Sequence, residues 1–269
     1  MKWNAGTRCS VVLMLRSILH LSILSLSIFS LSNLALAAPA ADKPDKKEKP
    51  GTGPQTVDSG SFGIFVRGQR VATETFTVQQ QNGASIIKSQ VKDASGADPV
   101  TQKSDLEITA GGDLIRYEWS QSSGGSLTVL PKNDFLIEQV LTPSSIKPTE
   151  KPFLMPSSSS ILDNNFFVHR EVLVWRYLAV ACKPEGGNLK CQQGPTPFGV
   201  MVPQDQLSMP IKLEVVGKEK VTIKGAERDL LRLNLIGENF EWSLWVDDHD
   251  QFKLIRVAIS ADSTEVLRD

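Results

Sequence analysis

The sequence contains few of the side chains on which catalysis and metal binding most often depend. Its 269 residues include three histidines and three cysteines, and only His169 and His249 follow the first 37 residues. Neither a Gly-x-Ser-x-Gly turn for a serine nucleophile nor a glycine-rich phosphate loop occurs. No dense stripe of Lys and Arg is present, which argues against a nucleic-acid partner. These absences favour a non-catalytic protein that holds no cofactor and no metal ion.

An apolar segment at the start of the chain predicts export. Lys2, Arg8 and Arg16 supply positive charge, the apolar run continues to Leu34, and Ala35-Leu36-Ala37 is a small-x-small cleavage signal. Residues 1–37 are therefore predicted to be the signal peptide of a periplasmic or secreted protein. The run is nearly long enough to span a bilayer, so an uncleaved anchor is the alternative and the only predicted attachment to a membrane.

Composition divides the remaining chain into a linker and a domain. Residues 38–58 are mostly Ala, Pro, Lys, Asp, Gly and Thr, which predicts a flexible linker. Residues 59–269 predict a single β-rich domain. Without the first 37 residues the chain carries 26 basic and 30 acidic side chains, a net charge of −4 with histidine neutral.

Two cysteines remain in the predicted domain. Cys182 and Cys191 flank a short loop with Gly186-Gly187 at its tip. In an oxidising compartment this arrangement predicts a local disulfide. The alternative of a metal or redox pair is disfavoured, because the spacing is not Cys-x-x-Cys and no histidine lies close by.

Hydrophobic periodicity predicts a mainly β fold. Apolar side chains recur at every second position, as in Leu231, Leu233 and Leu235, and Asn82-Gly83 is a strong hairpin signal. One apolar face per strand, with short turns between strands, predicts an antiparallel meander. Residues 142–160 contain four prolines and four consecutive serines, which predicts a long loop.

One segment has helical periodicity instead. A helix is predicted at about 163–181, with Asp163 as the N-cap and Pro184 limiting its extension. Its apolar residues cover most of the circumference, which predicts a buried helix. The expected fold is a strongly curved antiparallel sheet, a half-barrel meander, wrapped around one buried central helix.

Short motifs resemble those of an uncharacterised family of secreted bacterial proteins, a domain of unknown function. The motifs are Phe62 to Gly68, Asp163 to Phe166, Leu244 to Asp248 and Lys253 to Val257. The resemblance implies an unclosed half-barrel. More distantly the chain is similar to the Lol-type lipoprotein carriers, which hold acyl chains under a helical lid. It departs from them because it has no leading helix.

Three groups of polar residues are candidates for chemistry. His169 and Glu171 lie two positions apart on the helix, so they face different directions and cannot share a metal ion. Asp247-Asp248-His249-Asp250 is interpreted as a solvated turn rather than a cation site. Ser157 to Ser160 are interpreted as part of the loop; a hydrolase that uses His169 and a loop serine is the enzymatic alternative.

The favoured function is binding without catalysis. We expect an exported envelope protein that binds a lipid or another apolar ligand, or an envelope protein partner, between sheet and helix. The candidate ligand or partner surface consists of Phe166, Trp175, Tyr117 and Trp245; Trp245 is included because strand alternation places it opposite the apolar face. A purely structural scaffold is the third alternative.

Overall fold

The computed structural model describes residues 53–94, 99–186 and 188–269. The predicted signal peptide and residues 38–52 of the predicted linker lie outside them. The described chain is mainly β, with seventeen strands and one α-helix. Fifteen of these strands form one sheet, and the other two form a separate hairpin. The predicted fold class is therefore confirmed.

The first half of the sheet is a meander of eight strands, each antiparallel to the next. Positive φ at Asn82 and Gly83 shows the primed type of turn, which confirms the hairpin predicted there. The strands are β1 (Gln55–Val66), β2 (Gln69–Gln81), β3 (Ala84–Asp93), β4 (Thr101–Thr109), β5 (Leu114–Gln121), β6 (Ser126–Lys132), β7 (Phe135–Leu141) and β8 (Thr149–Phe153).

The second half contains the helix and a second meander, which runs from β12 to β17. Strand β9 runs parallel to β12, and helix α1 lies in the crossover between them. The elements are β9 (Ser160–Ile161), α1 (Val168–Ala181), β10 (Cys182–Glu185), β11 (Asn188–Cys191), β12 (Thr196–Val202), a 3-10 turn (Pro203–Asp205), β13 (Leu207–Ile223), β14 (Ala226–Ile236), β15 (Glu241–Asp247), β16 (Lys253–Ile259) and β17 (Thr264–Arg268).

The two meanders join in the middle of the sheet. Strand β1 pairs antiparallel with β17, with Phe62 opposite Arg268 and Val66 opposite Thr264. The first and last strands are therefore neighbours, while β8 and β9 form the two edges. Residues 154–159 connect these edge strands.

Helix α1 is buried, as predicted. Eleven of its fourteen residues are buried, and side chains from α1 and from both meanders belong to one hydrophobic cluster. Sheet and helix therefore cover each other's apolar surface. Strong curvature of the sheet is not confirmed, because no sheet in the described residues is strongly curled.

The boundary between linker and domain was predicted too late. Strand β1 already begins at Gln55, which pairs with Gln80 of β2. Asp58 is buried, and both its carboxylate oxygens accept hydrogen bonds from Arg268 at 2.7 and 2.6 Å. Polar composition concealed this strand, because its partners are supplied by residues far away in the sequence.

The predicted loop at residues 142–160 contains edge strand β8. This strand pairs only with β7 among the described strands, and four of its five residues are exposed. It therefore shows no apolar alternation, and Pro152 is compatible with an edge position. Strand β12 was also missing from the prediction.

The predicted disulfide is present. Cys182 and Cys191 face each other in the β10–β11 hairpin, with Cα atoms 3.8 Å apart, and their sulfurs are bonded. The bridge follows directly on the last residue of α1. It therefore closes the hairpin at the C-terminal end of the helix.

Candidate functional site

The segment before α1 is tied to the sheet by Asp163. Its carboxylate accepts hydrogen bonds from the Tyr117 hydroxyl, from Gln204 Nε2 and from the backbone N–H of Asn165, the last at 2.9 Å. Burial raises the pKa of the Asp163 carboxyl to about 7, although these hydrogen bonds and Arg170 favour the ionised form. The predicted role of Asp163 as the N-cap is wrong, because α1 begins at Val168 and its first amides bond elsewhere.

The cap of α1 comes from the sheet. Glu74 of β2 accepts hydrogen bonds from the backbone N–H groups of Phe167 and Val168 at 2.5 and 3.2 Å, and from the Ser89 hydroxyl at 2.7 Å. A carboxylate is favoured there because helix N-termini carry free amides and a partial positive charge. Burial nevertheless raises the pKa of Glu74 to about 7.

Arg170 lies close to the Glu74 cap and packs against two aromatic rings. Its guanidinium lies 4.2 Å from the ring centroid of Phe167 and 4.8 Å from that of Trp242, and it donates to the Phe166 carbonyl at 2.7 Å. Burial lowers the pKa of Arg170 to about 9, while Glu74 and Asp163 favour its charged form. The N-terminal end of the helix therefore lies in a buried network of polar side chains, and apolar residues surround this network.

His169 lies within this network but contacts a serine of β4. Its Nε2 is 3.4 Å from Ser104 Oγ, and no described group bonds its Nδ1. Burial, and secondarily Arg170, lowers the pKa of His169 to about 3, so the ring is neutral at physiological pH. The predicted loop serines have another neighbour, since Arg176 donates to Ser160 Oγ and to the Ser158 carbonyl.

Glu171 faces the opposite side of α1 and joins it to the last strands. Its Oε2 accepts hydrogen bonds from the Leu254 N–H at 2.7 Å and from Arg268 at 2.9 Å. Burial and the neighbouring Asp58 carboxylate raise the pKa of Glu171 well above its ordinary value, against the opposing effect of Arg268. His169 and Glu171 therefore belong to separate clusters, as their spacing predicted.

A cleft of about 300 Å³ opens beside the N-terminal end of the helix. We call it the mouth. Its polar wall is held by Gln102, whose side-chain oxygen accepts hydrogen bonds from Asn165 at 2.7 Å and from Trp119 at 3.0 Å. Nine of its fifteen lining residues are apolar: Ile64, Val66, Val71, Ala72, Val91, Val100, Phe167, Trp242 and Ile259; the others are Asp93, Gln102, Asn164, Asn165, Asp262 and Thr264.

Two further clefts have a different character. One of about 600 Å³ lies across strands β2 to β6 and is lined largely by polar side chains; two of these, Lys88 and Asp105, pair with each other at 3.4 Å. Another, of about 530 Å³, lies between residues 154–159, the end of α1 and β12. Leu154 and Val180 line this third cleft and are strongly exposed.

The four predicted surface residues are buried. Phe166 and Tyr117 have no exposed area, and Trp175 and Trp245 are 4 % and 5 % exposed. Trp175 Nε1 donates to the backbone carbonyls of Gln251 and Phe252 at 3.0 and 3.2 Å, which holds the β15–β16 turn against the helix. A ligand or partner role for these residues stays a prediction.

Trp245 lies on the other face of the sheet, as alternation predicted, but that face is covered there. Val221 and Ile223 from the far end of β13 pack with Trp245 in a second, smaller hydrophobic cluster. The indole also lies near the guanidinium groups of Arg232 and Arg256, 5.6 and 4.6 Å from the ring centroid. Its burial is thus explained by packing within the chain.

The acidic turn after β15 has cationic and backbone partners. Asp247 pairs with Arg228 at 2.6 Å, Asp248 with Lys218 at 2.8 Å, and Asp250 with Lys253 at 2.9 Å. Within residues 53–94, 99–186 and 188–269, no group of three His, Cys, Asp or Glu side chains is placed to hold a metal ion.

Sequence reasoning missed Glu74 and Glu138. Both break an apolar alternation: Glu74 shares a face with Phe76 and Val78, and Glu138 has Leu136 two positions before it. Glu138 is fully buried, and neither of its carboxylate oxygens has a partner in the described structure. An acidic residue on the inward parity of a strand is therefore the signal that could have located the network.

Comparison of the chain with family models, with curated proteins and with solved structures finds no match. The resemblance to a secreted bacterial family and to the Lol carriers stays a prediction. No helix in the described residues is long and apolar enough to cross a membrane.

Proposed function

We propose that the protein is an exported, non-catalytic binding protein that takes a small apolar ligand into the mouth. The observation that carries the proposal is the apolar lining of this cleft, which includes Phe167 and Trp242. Small-molecule sites are concave, mostly apolar and fitted with a few polar groups, which is the composition found here. A cleft of about 300 Å³ is at the lower end of their size range.

Exposed apolar side chains at the rim support a ligand at this position. Val71 and Val100 are 36 % and 38 % exposed, although most aliphatic residues of the inward face are buried. A ligand chain that covers them would remove apolar surface from water, which stabilises by about 25 cal/mol for each Å². Export is supported by the disulfide, because such bonds persist in oxidising compartments.

The mouth favours ligand binding over the alternatives. A protein partner, a scaffold role and a hydrolase built on His169 stay predictions. For the hydrolase, His169 contributes a neutral ring with a pKa of about 3, far from the value near the working pH that suits a general base.

The test is titration of the purified protein with the neutral fluorescent probe N-phenyl-1-naphthylamine. We expect saturable fluorescence enhancement that is lost in the double variant Val71→Asp/Val100→Asp, because a charge at each rim position disfavours an apolar guest. Val216→Asp is the matched control, since Val216 is an exposed valine outside the mouth. Equal binding by both variants, or no binding by the wild type, would contradict the proposal.

A further inference from the structure

Strand β12 has an uncovered stretch of backbone at the third cleft. On one side it pairs with β13 along its whole length, without a bulge. On its other side it pairs with β9 only at Val200 and Met201. Among the described strands, none covers this edge at residues 196–199, and these four residues line the third cleft.

Alternation along β12 identifies the backbone groups that this edge presents. The Met201 carbonyl accepts a hydrogen bond from the Leu162 N–H at 2.6 Å, so the polar groups of Met201 point toward β9 and away from β13. Those of Gly199 and Pro197 point the same way, because this direction alternates from one residue of a strand to the next. Since proline has no N–H, the edge offers the Gly199 N–H and the Pro197 carbonyl. Both residues are exposed.

Neither conformation nor packing within the chain requires glycine at position 199. The φ angle of Gly199 is not positive, and a Cβ placed there would meet Ser159 Oγ at 3.7 Å and Met155 Cε at 3.8 Å, which are ordinary contacts. Glycine inside a strand weakens it and often marks a position where a ligand or another backbone approaches closely. Because β9 begins only opposite Val200, a backbone beside Gly199 on this edge would come from another molecule.

The loop before β9 leaves the position beside Phe198 free. If β9 were two residues longer, its register would place Ser158 opposite Phe198. Instead, the Ser159 N–H bonds to the Pro156 carbonyl in a turn, and Arg176 donates to the Ser158 carbonyl. The third cleft, of about 530 Å³, lies between this loop, the end of α1 and β12.

Exposed apolar side chains line the same cleft. Leu154 and Val180 are 80 % and 53 % exposed. An occupant that covers them removes apolar surface from water, and one that also pairs with Gly199 and Pro197 must carry a backbone donor and acceptor. An extended peptide has both properties.

We infer that the third cleft binds an extended peptide segment with apolar side chains, as a strand parallel to β12 and in line with β9. One peptide residue, opposite Phe198, donates its N–H to the Pro197 carbonyl and accepts a hydrogen bond from the Gly199 N–H. The bound segment thereby continues the existing β9–β12 pairing, and its side chains pack on Leu154 and Val180. No described residue lines both this cleft and the mouth, so the inference does not depend on the proposed function.

The test uses the peptide acetyl-Thr-Val-Thr-Val-Thr-amide and measures hydrogen exchange of the Gly199 amide by NMR. We expect saturable binding that slows exchange at Gly199 at least tenfold, because the amide gains an acceptor. An analogue with N-methyl groups on its three central residues lacks the donors and should bind at least tenfold more weakly. Absence of peptide binding, or equal binding of the analogue, would overturn the inference.

Variants at Gly199 test the backbone hydrogen bond from the side of the protein. Gly199→Pro removes the N–H at an edge position where proline is tolerated, and it should weaken peptide binding at least tenfold. Gly199→Ala keeps the N–H and should lose at least threefold less affinity. Circular dichroism checks that both variants fold, and the N-methylated analogue decides alone if Gly199→Pro does not. Equal losses in two folded variants would overturn the inference.

A matched pair of valines tests the apolar wall. Val180→Asp should weaken peptide binding at least threefold, because it places a charge against apolar side chains of the peptide. Val216→Asp is the control, since Val216 is also 53 % exposed and lies outside the third cleft. Equal affinities in these two variants would contradict the placement of the peptide.

A second copy of the chain as occupant gives a different result. The Gly199 amide would then exchange slowly without peptide, in a protein that sediments as a dimer. That outcome would overturn the inference and assign the edge to self-association.

Discussion

The two ends of helix α1 are buried by different means. At the N-terminal end, Glu74 and Asp163 bring carboxyl groups into the interior, where backbone amides and hydroxyls donate hydrogen bonds to them and Arg170 interacts with their charge. At the C-terminal end, Tyr177 and Leu178 pack against the apolar face of the sheet, and the disulfide follows at once. One end is positioned by hydrogen bonds of defined geometry, and the other by packing and a covalent bond.

This difference teaches where stability and specificity reside. Buried polar groups contribute little net stability, because each must first lose its hydration, but they fix orientation. Apolar packing contributes most of the favourable free energy and tolerates more variation in geometry. The mouth adjoins the polar end of the helix. There, hydrogen bonds fix the orientation of the side chains, and the net charge of the buried groups depends on pH.

The largest effect is expected at Trp175, which belongs to the packed part of the helix. Trp175→Ala should lower the free energy of unfolding by about 3–5 kcal/mol, as other large-to-small core substitutions do. Trp175→Phe is the control; it keeps a ring but loses the hydrogen bonds to the carbonyls of Gln251 and Phe252, at a cost of about 1 kcal/mol. Urea denaturation measures both. An unchanged midpoint for Trp175→Ala would mean that the helix is a detachable lid.

Removing the disulfide should have the next largest effect. The double variant Cys182→Ser/Cys191→Ser opens a bridge with a sequence separation of 9, which should cost about 2–3 kcal/mol in the chain-entropy account. Thermal unfolding of oxidised and reduced protein measures the same quantity without substitution. Thiol titration of the denatured, unreduced domain should find neither cysteine free, and two free thiols would contradict the bridge.

The polar end should respond to loss of its cap. Glu74→Ala removes the acceptor of the Phe167 and Val168 amides and of Ser89, which should destabilise by about 2 kcal/mol. Ser85→Ala on the neighbouring strand is the matched control, because the Ser85 hydroxyl is buried without a partner and its loss should be nearly neutral. Chemical denaturation at neutral pH compares the two variants. Equal losses of stability would show that the Glu74 cap does not stabilise the fold.

The smallest predicted effect is a dependence on pH. Burial raises the pKa of Glu138 from 4.5 to about 7, so the folded state holds a proton that the unfolded state releases. The contribution of Glu138 to stability is therefore full below pH 4.5 and is lost as the pH rises through 7. Glu138→Gln should raise the free energy of unfolding by about 1 kcal/mol at pH 8 and change it little at pH 4.5.

Burial shifts the pKa of His169 in the opposite direction to that of Glu138. His169 therefore supplies the control for this titration. Its pKa falls from 6.5 to about 3, so its contribution is present above pH 6.5 and is lost as the pH falls toward 3. His169→Gln should therefore reduce the stability that is lost as the pH falls toward 3. It should leave the free energy of unfolding at pH 8 unchanged. Identical pH profiles for the wild type and Glu138→Gln would contradict the assignment of Glu138 as a buried acid.

The sequence predicted the meander because local patterns determine it. Alternation along β14 and the Asn82-Gly83 turn are readable within a few residues, and so is the cysteine pair. The start of α1 was not predictable in this way, because Glu74 caps it from 93 positions away in the chain. The mouth was equally hidden, since the ends of β1, β2, β3 and β4 meet residues near position 260 only after folding.

The pairing of β1 with β17 has a consequence for the order of folding. Every other antiparallel pair in the sheet joins strands consecutive in the chain, so each meander can form from local contacts alone. The β1–β17 seam closes a loop of about two hundred residues and should form late, because loop closure costs entropy. A circular permutant of residues 55–269, opened within residues 154–159 and with Asp269 linked to Gln55, would make β17 and β1 consecutive strands in the chain. It should refold faster than the natural chain while keeping the same sheet order.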